Sequence, residues 1–395
     1  MITYKDGREL VREHVEVLST EKLATARCEG RVLAADVESR ISSPPFNKAA
    51  MDGFAVRADD VEGLPADLSL VGESFAGGWP DFEVGRGECA RITTGAPVPE
   101  GADMVVMVEH TTELSENRIR MEKLSGANIC AEGEDIRQGQ VVLRSGDLLT
   151  PMRVGLAASA GYSALEVYRR PTVALLCTGT EVVEAHKQPG RGQIFNSNGP
   201  MLTALLEPMS EELHYLGLAG DRPEELKDEL REALKCDFVV ATGGVSMGEY
   251  DLVPDTLEEL GVETIFHRWS VKPGKPLLLG KHGGTSVFGL PGNPQTCFLA
   301  FHVLLRAALG LAAGRTDMPP CFRTGLLTKP VSDKSRRKSF KPCRLEVRDS
   351  TNYLEPVSYK GSGDIAHPSA ANAYFTIPQG TGDVDEGKQV EFFEV

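Results

Sequence analysis

Three short apolar segments that follow residue 170 each end at a loop that contains glycine. Residues 173–177, 238–241 and 287–290 have the length of buried strands, and stretches with helical spacing of apolar residues separate them. Strands that alternate with helices form right-handed βαβ units around a mainly parallel sheet. We therefore predict a three-layer α/β domain over residues 171–318.

The loops that follow these segments carry groups that bind anions. They read Thr178-Gly179-Thr180-Glu181, Thr242-Gly243-Gly244-Val245-Ser246-Met247-Gly248-Glu249-Tyr250-Asp251 and Leu290-Pro291-Gly292-Asn293-Pro294. Glycine lets the backbone approach a ligand closely, and successive N–H groups can form a concavity for an anion. Ligands of open α/β sheets bind at the carboxyl ends of the strands, where these loops lie. We expect a phosphorylated ligand at this edge of the sheet.

Three carboxylates could converge on the same edge, namely Glu181, Asp221 and Asp251. Two like charges about 4 Å apart repel by about 4 kcal/mol at an effective dielectric constant of about 20. Such a cluster therefore needs a cation or shifted pKa values, and Mg²⁺ with oxygen ligands and phosphate suits it. Lys272 and Lys275 add positive charge. Each carboxylate taken alone could equally be a surface charge or a helix cap.

The segments on either side of the α/β region have different textures. Residues 6–18, 20–34 and 150–160 show helical spacing, which predicts a discontinuous helical domain from residues 1–40 and 145–170 that we interpret as the dimerisation domain. Residues 41–144 are rich in glycine and proline with short β-like runs, and predict a β-rich insertion. Residues 319–395 alternate and turn, which is typical of a small β-barrel or sandwich; we expect a C-terminal β-barrel. The chain is thus predicted to be a multidomain α/β and β protein.

The composition and the motifs that are missing exclude several classes of function. The 57 acidic residues exceed the 42 basic ones, so nucleic acid and anionic membranes are disfavoured as partners. The basic run 334–338 is an exception that we interpret as a solvated loop. No phosphate-binding motif of the P-loop type occurs, which disfavours a P-loop NTPase. No G-x-G-x-x-G opens a helix, which disfavours a Rossmann dinucleotide site.

Nothing at the amino terminus resembles a signal sequence, since charged residues begin at Lys5. The most apolar helix, residues 297–313, is interrupted by His302 and Arg306, and we expect it to be too short to span a membrane. The eight cysteines include no Cys-x-x-Cys pair and are expected to be reduced. We therefore expect a cytoplasmic protein.

Seven motifs occur in an order and at a spacing that cover almost the whole chain. The motifs are Met51-Asp52-Gly53-Phe54-Ala55, Thr94-Gly95-Ala96-Pro97-Val98-Pro99, Gly133-Glu134-Asp135-Ile136, Thr178-Gly179-Thr180-Glu181, Thr242-Gly243-Gly244-Val245-Ser246-Met247-Gly248, Lys272-Pro273-Gly274-Lys275-Pro276 and Leu290-Pro291-Gly292-Asn293-Pro294. Together they resemble the motifs of the molybdopterin molybdenumtransferase family, which includes the E-domains of gephyrin and of plant homologues.

This resemblance implies an enzyme and a reaction. Adenylylated molybdopterin and molybdate would give the molybdenum cofactor and AMP with the help of Mg²⁺, as the last step of cofactor biosynthesis. It also implies a homodimer, with each active site formed by the α/β domain of one subunit and the β-rich insertion of the other. The expected partners are a molybdopterin adenylyltransferase and the enzymes that accept the cofactor.

The resemblance also assigns roles to residues. The implied catalytic residues are Asp52, Thr94, Asp135, Glu181, Asp221 and Asp251, of which the last three would also bind the metal. The implied substrate-binding residues are Gly243, Gly244, Ser246, Gly248, Lys272, Lys275, Pro291, Pro294, Arg344 and Ser362, the last two as oxyanion contacts. Two positions depart from the family pattern: Thr180 stands where Asp is frequent, and residues 359–363 lack a Gly-His-Gln-Gly-Ser sequence.

Two other functions stay open. The first is a binding or scaffolding protein that keeps the fold without turnover, as the receptor-clustering role of gephyrin suggests. The intact carboxylates and lysines favour the enzyme. The second is another enzyme built on the same α/β unit, such as the adenylyltransferase or a nucleotide amidohydrolase. The β-rich insertion and the C-terminal barrel argue against it.

Overall fold

A computed structural model describes residues 1–219, 223–245 and 252–395 of the chain. Four predicted site residues, Asp221, Ser246, Gly248 and Asp251, therefore lie outside the described residues. The chain forms two compact units. The larger unit contains Met1–Lys22, Gly30–Ala34 and Glu166–Val395, and the smaller unit contains Leu23–Glu29 and Ala35–Leu165. The finer division into four domains, with boundaries at residues 40, 144, 170 and 318, stays a prediction.

Helices and strands are numbered here in chain order within the described residues. The α-helices are α1 (Tyr4–His14), α2 (Pro151–Ser159), α3 (Asn198–Leu206), α4 (Pro223–Ala233), α5 (Leu252–Glu259), α6 (Pro294–Ala300) and α7 (Arg306–Ala312). The strands are β1 (Thr20–Ala24), β2 (Val37–Glu38), β3 (Lys48–Ala49), β4 (Gly53–Val56), β5 (Ala66–Ser74), β6 (Glu88–Ile92), β7 (Met104–Met107), β8 (Thr111–Ser115), β9 (Arg118–Met121), β10 (Ile129–Cys130), β11 (Val141–Leu143), β12 (Ala164–Tyr168), β13 (Thr172–Cys177), β14 (Val182–Val183), β15 (Ile194–Phe195), β16 (Glu212–Leu218), β17 (Phe238–Thr242), β18 (Glu263–His267), β19 (Val271–Lys272), β20 (Leu278–His282), β21 (Thr285–Leu290), β22 (Arg323–Leu327), β23 (Lys338–Arg348), β24 (Thr351–Pro356), β25 (Ala373–Ile377) and β26 (Gln389–Glu394).

The larger unit is built on a six-stranded sheet with the order β16-β13-β17-β21-β20-β18. The first four strands are parallel, which confirms the predicted mainly parallel α/β fold. At one edge, β20 pairs antiparallel with β21 on one side and with β18 on the other. The apolar pattern of the sequence does not predict this edge. Its cause is a two-residue Gly283-Gly284 connection, which is short enough to reverse the chain into a hairpin.

Alternate residues of the central strands pack on opposite faces of this sheet. Phe238 and Val240 of β17 face one apolar cluster together with side chains of α3, α6 and α7. Val239 and Ala241 of the same strand face a second cluster together with side chains of α4 and α5. Successive side chains of a strand point to opposite faces, and here both faces are covered. The sheet therefore forms the middle of three layers, as predicted.

The longest helix of the larger unit runs from Pro294 to Ala312. It consists of α6, a π-helical segment Phe301–Leu305 and α7. The expectation that this helix is too short to cross a membrane is wrong by length and composition, but 83% of its apolar window is buried inside the structure. That burial is typical of a core helix.

The C-terminal residues of the larger unit form a closed β-barrel, as predicted. Its strands follow the order β23-β24-β22-β26-β25, and β25 pairs back to β23 to close the ring. The barrel encloses its own apolar cluster, which includes Leu354, Phe375 and Phe392. The residues before and after Met318 fold differently. After Met318, apolar and polar residues alternate, whereas before it apolar residues recur at helical spacing.

The smaller unit contains a six-stranded sheet with the order β7-β4-β6-β5-β9-β8. Phe54 and Val56 of β4 pack on one of its faces and Ala55 packs on the other.

The expected helix over residues 20–34 is wrong. Residues Thr20–Ala24 form strand β1, which pairs with β12, and Thr25–Arg27 form one 3₁₀ turn. Apolar spacing alone could not tell this short stretch from a helix, and pairing with a distant strand decides it.

One partly buried ion pair joins the beginnings of two adjacent strands of the larger sheet, β13 and β17. Arg169 Nη1 and Nη2 donate to the two carboxylate oxygens of Asp237 at 2.6 and 2.7 Å. Thr172 donates to Asp237 Oδ2 from its backbone N (2.8 Å) and its hydroxyl (2.9 Å). Burial acts to raise the pKa of Asp237, but these hydrogen bonds and the Arg169 charge outweigh burial and lower it.

We expect Asp237→Asn to lower the free energy of unfolding by about 1.5–3 kcal/mol at pH 7, the range for hydrogen bonds to charged groups. Because the pKa of Asp237 is lower in the folded chain, its contribution is complete above the unfolded-state pKa of about 3.9. The contribution disappears as the pH falls through the lower folded-state pKa. Urea unfolding of both proteins at pH 7 and at pH 3 measures this difference.

The matched control is Asp228→Asn, because Asp228 is an exposed carboxylate that pairs with Arg231 on α4. This control should change stability little at either pH. A destabilisation by Asp237→Asn that is equally large at pH 3 would contradict the proposed role of its charge.

Candidate functional site

A cavity of about 760 Å³ lies at the carboxyl ends of β13, β17 and β21 in the larger unit. Its wall consists mainly of the loops that follow these strands, at residues 177–182, 242–245 and 291–294, and of residues 194–198. Gly363 and Ile365 come from the barrel, and the remaining described wall residues are Ala219, Leu226, Leu252, Val253 and Pro276. This is the edge of the sheet at which the sequence predicts a ligand.

Backbone hydrogen bonds hold the three strand-end loops against one another. Thr178 N donates to Thr242 O at 2.8 Å, and Gly243 N donates to Leu290 O at 3.2 Å. Gly243 has φ 87° and Gly244 has φ 58°, a region that favours glycine. A Cβ atom on Gly243 would lie only 2.3 Å from Thr178 O. The predicted binding residues Gly243 and Gly244 thus let the loop after β17 approach the loop after β13 more closely than any other residue type would permit.

Asn198 is a residue of the wall that the sequence analysis missed. Its Nδ2 donates to Thr242 Oγ1 at 3.1 Å and to Gly292 O at 2.7 Å, so it joins two of the loops. Its Oδ1 is buried and has no hydrogen-bond partner among the described residues, and the same holds for Thr178 Oγ1. A bound ligand with N–H or O–H donors would satisfy both oxygen atoms. The signal in the sequence was Ser197-Asn198-Gly199-Pro200, a typical helix start.

A hydrogen-bonded group supports the part of the wall at residues 194–198. Tyr215 donates to Glu184 Oε1 at 2.6 Å, and Asn196 Nδ2 donates to the Tyr215 hydroxyl oxygen at 2.8 Å. Burial, followed by the hydrogen bond to Glu184, raises the pKa of Tyr215 well above its ordinary value. Tyr215 therefore stays a donor at neutral pH. Nothing in the sequence pattern pointed to this group, because its members come from three separate elements.

Glu181 is the only charged residue among the described residues of the cavity wall. Its carboxylate lies against Gly179, where a Cβ atom would be 3.0 Å from Oε2. Its predicted metal-binding partners, Asp221 and Asp251, lie outside the described residues. Within the described ranges, no three His, Cys, Asp or Glu side chains are close enough together to hold a metal ion. The predicted Mg²⁺ ligand set therefore stays a prediction.

The two predicted lysines do not belong to the described wall. Lys272 Nζ lies 3.5 Å from Asp333 Oδ1, a buried carboxylate of the barrel. Lys275 is exposed, and its carbonyl oxygen accepts a hydrogen bond from Trp269 N at 3.1 Å. Of their shared motif, only Pro276 lines the cavity.

The structure separates the two predicted oxyanion contacts of the barrel. Ser362 lies at the rim of the cavity, where its Oγ accepts a hydrogen bond from Asn293 Nδ2 at 2.8 Å. Arg344 is exposed on β23, and its Nε donates to Ala370 O at 3.2 Å. The predicted residues Pro291 and Pro294 both line the cavity.

In the smaller unit, the predicted residues Asp52 and Thr94 are in direct contact. Asp52 Oδ1 accepts hydrogen bonds from Thr94 N at 2.6 Å and from Thr94 Oγ1 at 2.8 Å. These two hydrogen bonds lower the pKa of Asp52 below its ordinary value. Gly53 follows Asp52 at the start of β4, and a Cβ atom there would lie 1.9 Å from Val106 O. The neighbouring strand β7 thus requires glycine beside Asp52.

The loop of Asp135 is attached to the same part of the smaller unit. Asp135 N donates to Ser43 O at 3.0 Å, and Gly133 N donates to Pro44 O at 2.9 Å. On the other side, Gly95 N donates to Ala49 O at 2.8 Å. Residues 43–52 therefore anchor the loops of both Thr94 and Asp135. The Asp135 side chain itself is exposed.

Family models match nearly the whole chain. The MoeA N-terminal region (domain I and II) matches residues 2–161, a probable molybdopterin-binding domain matches residues 174–310, and the MoeA C-terminal region (domain IV) matches residues 324–395. Together the three models follow the order in which the motifs occur along the sequence.

Similar proteins and structures extend over the same length. The molybdopterin molybdenumtransferase of Haemophilus influenzae is 33% identical over 397 residues, which cover 99% of this chain and 98% of that protein. That of Staphylococcus aureus is 30% identical over 93% of this chain and 90% of its own length. The crystal structure of the molybdopterin biosynthesis MoeA protein from Pyrococcus horikoshii OT3 superposes with a TM-score of 0.84 at 28% identity and covers both chains fully. The chain belongs to the MoeA, or molybdopterin molybdenumtransferase, family.

Proposed function

We propose that the chain is a transferase that inserts molybdenum into molybdopterin, and that it releases AMP from an adenylylated form of that substrate. The observation that carries this proposal is the cavity at the strand ends, which occurs in a chain similar over its whole length to proteins named molybdopterin molybdenumtransferase. Its size suits a small-molecule ligand. Molybdate is the second substrate in this proposal.

The cavity wall would bind the pterin substrate mostly through backbone and neutral side chains. Loops with glycine at positive φ present N–H groups that can hold a phosphate. Asn198 Oδ1 and Thr178 Oγ1, which are buried and unpartnered among the described residues, are available for the N–H groups of a pterin. Such fixed donors and acceptors hold reacting groups in place, and they cost little reorganisation when charge moves.

The nearly neutral wall also suits the proposed metal ion. An adenylylated substrate carries phosphate charges, and Glu181 adds one more negative charge. Mg²⁺ takes oxygen ligands and usually keeps several waters, so it needs only one or two carboxylates besides phosphate. Glu181, with Asp221 and Asp251 as predicted, would hold it. When bound, Mg²⁺ would neutralise and polarise the phosphoryl group.

Asp52 would act as an ionised hydrogen-bond acceptor. Thr94 occupies its Oδ1, so Oδ2 is the oxygen available to a substrate or to a metal-bound water. We propose that the protein acts as a homodimer in which Asp52, Thr94 and Asp135 of one subunit serve the cavity of the other, as the family resemblance implies. We also propose that it acts in the cytoplasm, between a molybdopterin adenylyltransferase and the enzymes that accept the cofactor.

The reaction is tested by loading the purified protein with adenylylated molybdopterin and adding molybdate. We expect one AMP for each molybdopterin consumed, and no AMP when molybdate is omitted or Mg²⁺ is removed with a chelator. Chromatographic assay of AMP measures the outcome. Tight binding of the pterin with no AMP release under any condition would instead support a non-catalytic binding protein.

Gly243→Ala tests whether the cavity is the site. The added Cβ would clash with Thr178 O, so the loops must separate, and a shift of about 1 Å can lower a rate by about 100-fold. The matched control is Gly380→Ala in the barrel, which has φ 76° and no atom within 4 Å of the added Cβ. AMP release should fall in the first variant and persist in the second. Equal activities in the two variants would place the site elsewhere.

Thr94→Val tests the role of the Asp52 charge through the pH dependence of AMP release. The variant loses one of the two hydrogen bonds that lower the pKa of Asp52, so that pKa should rise towards its ordinary value. Activity should then begin to fall at a higher pH on acidification than in the unmodified chain. Thr112→Val is the control, because its hydroxyl donates to a different carboxylate, Glu122. An unchanged acid limb in Thr94→Val would contradict a requirement for ionised Asp52.

A further inference from the structure

Two large aromatic side chains are exposed on one loop of the smaller unit. Phe75 is 61% exposed and Trp79 is 71% exposed. No other aromatic side chain of the described residues is as exposed. Trp and Phe side chains normally gain stability from burial, so two of them on one short loop indicate a binding surface. Neither residue belongs to the motifs that carry the family resemblance.

Local contacts within the smaller unit restrict both rings. Phe46 packs perpendicular to Trp79, with ring centroids 5.5 Å apart. Gly78 N donates to Phe75 O at 3.0 Å, and a Cβ atom on Gly78 would come within 3.0 Å of the Phe75 ring. A surface that is already ordered loses little entropy when a ligand binds.

Hydrogen bonds connect this loop to the segment that carries Thr94. Ala76 N donates to Thr93 Oγ1 at 3.3 Å, and Thr93 N donates to Ser74 O at 3.1 Å. The next residue, Thr94, donates to Asp52. The loop that carries the exposed rings is thus joined by hydrogen bonds to the segment that carries Thr94, the partner of Asp52.

We propose that Phe75 and Trp79 form an aromatic platform on which a planar nitrogen heterocycle of the substrate stacks beside Asp52. This inference rests on the proposed function, because adenylylated molybdopterin contains two such rings, the pterin and the adenine. Stacking on aromatic side chains accepts any flat π system, and the ionised Asp52 can accept a hydrogen bond from a ring amino or N–H group.

The charges around the loop favour a neutral ring over the other possible occupants. Asp81 and Glu83 are exposed just after Trp79. They would repel a phosphate group, so the phosphates of the substrate should lie away from this loop. They also disfavour a symmetric contact between two copies of the loop, since like charges would meet across it.

Trp79→Ala should raise the KM for adenylylated molybdopterin by about tenfold, the scale of one stacking contact, with kcat within about twofold. Trp79→Phe keeps a flat ring and should restore the KM to within about threefold of the unmodified value. Val347→Ala removes an exposed apolar side chain from the barrel strand β23 and serves as the control with an unchanged KM. An unchanged KM in Trp79→Ala, in a chain that releases AMP normally, would overturn the platform and leave the proposed function intact.

Tryptophan fluorescence identifies the ring without requiring turnover. The chain has two tryptophans, and Trp269 is only 1% exposed, so quenching by an added ligand reports on Trp79. Titrations with AMP and with 6-hydroxymethylpterin separate the adenine from the pterin. Quenching by either probe that disappears in Trp79→Ala supports the platform. The absence of quenching by both, or a Trp79→Ala variant whose only change is dissociation of an oligomer in analytical ultracentrifugation, would overturn it.

Discussion

The burial of β13, β17 and β21 on both faces is the constraint on which the larger unit depends. These strands carry almost only apolar side chains, so they offer no polar group to a ligand along their length. Polar groups can collect only where the strands end. The hydrogen bonds between Thr178, Thr242, Gly243 and Leu290 then hold the ends together. The cavity is therefore a direct consequence of how the sheet is packed.

The described wall of this cavity is unusual for a site that would handle a phosphorylated ligand, since it has one carboxylate and no cation. The two lysines expected there lie elsewhere: Lys272 contacts Asp333, and Lys275 is exposed. Recognition by the described wall thus depends on backbone N–H groups, on neutral oxygen atoms and, in our proposal, on Mg²⁺. Neutral groups need no compensating charge when the ligand is absent.

The sequence predicted the elements whose pattern is local. The strands with continuous apolar character, their glycine loops and the barrel were all found from residue spacing, and Gly243, Gly244, Pro291 and Pro294 line the cavity as expected. Features that depend on contacts between distant residues were missed. The strand β1, the Tyr215–Glu184–Asn196 group and the role of Asn198 each require partners far along the chain. The directions of Lys272 and Arg344 are likewise set by tertiary contacts, which residue spacing does not encode.

The ion pair of Arg169 and Asp237 has a consequence for engineering. Asp237 immediately precedes β17, and Gly243 immediately follows it, so one five-residue strand has its charged anchor at one end and its ligand loop at the other. At about 3.3 Å per residue, the two ends are roughly 20 Å apart, where two unit charges interact by about 1 kcal/mol or less at an effective dielectric constant of about 20. Changes made at the amino end to improve thermal tolerance, for expression or storage, should therefore have only a small effect on the electrostatics of the ligand loop.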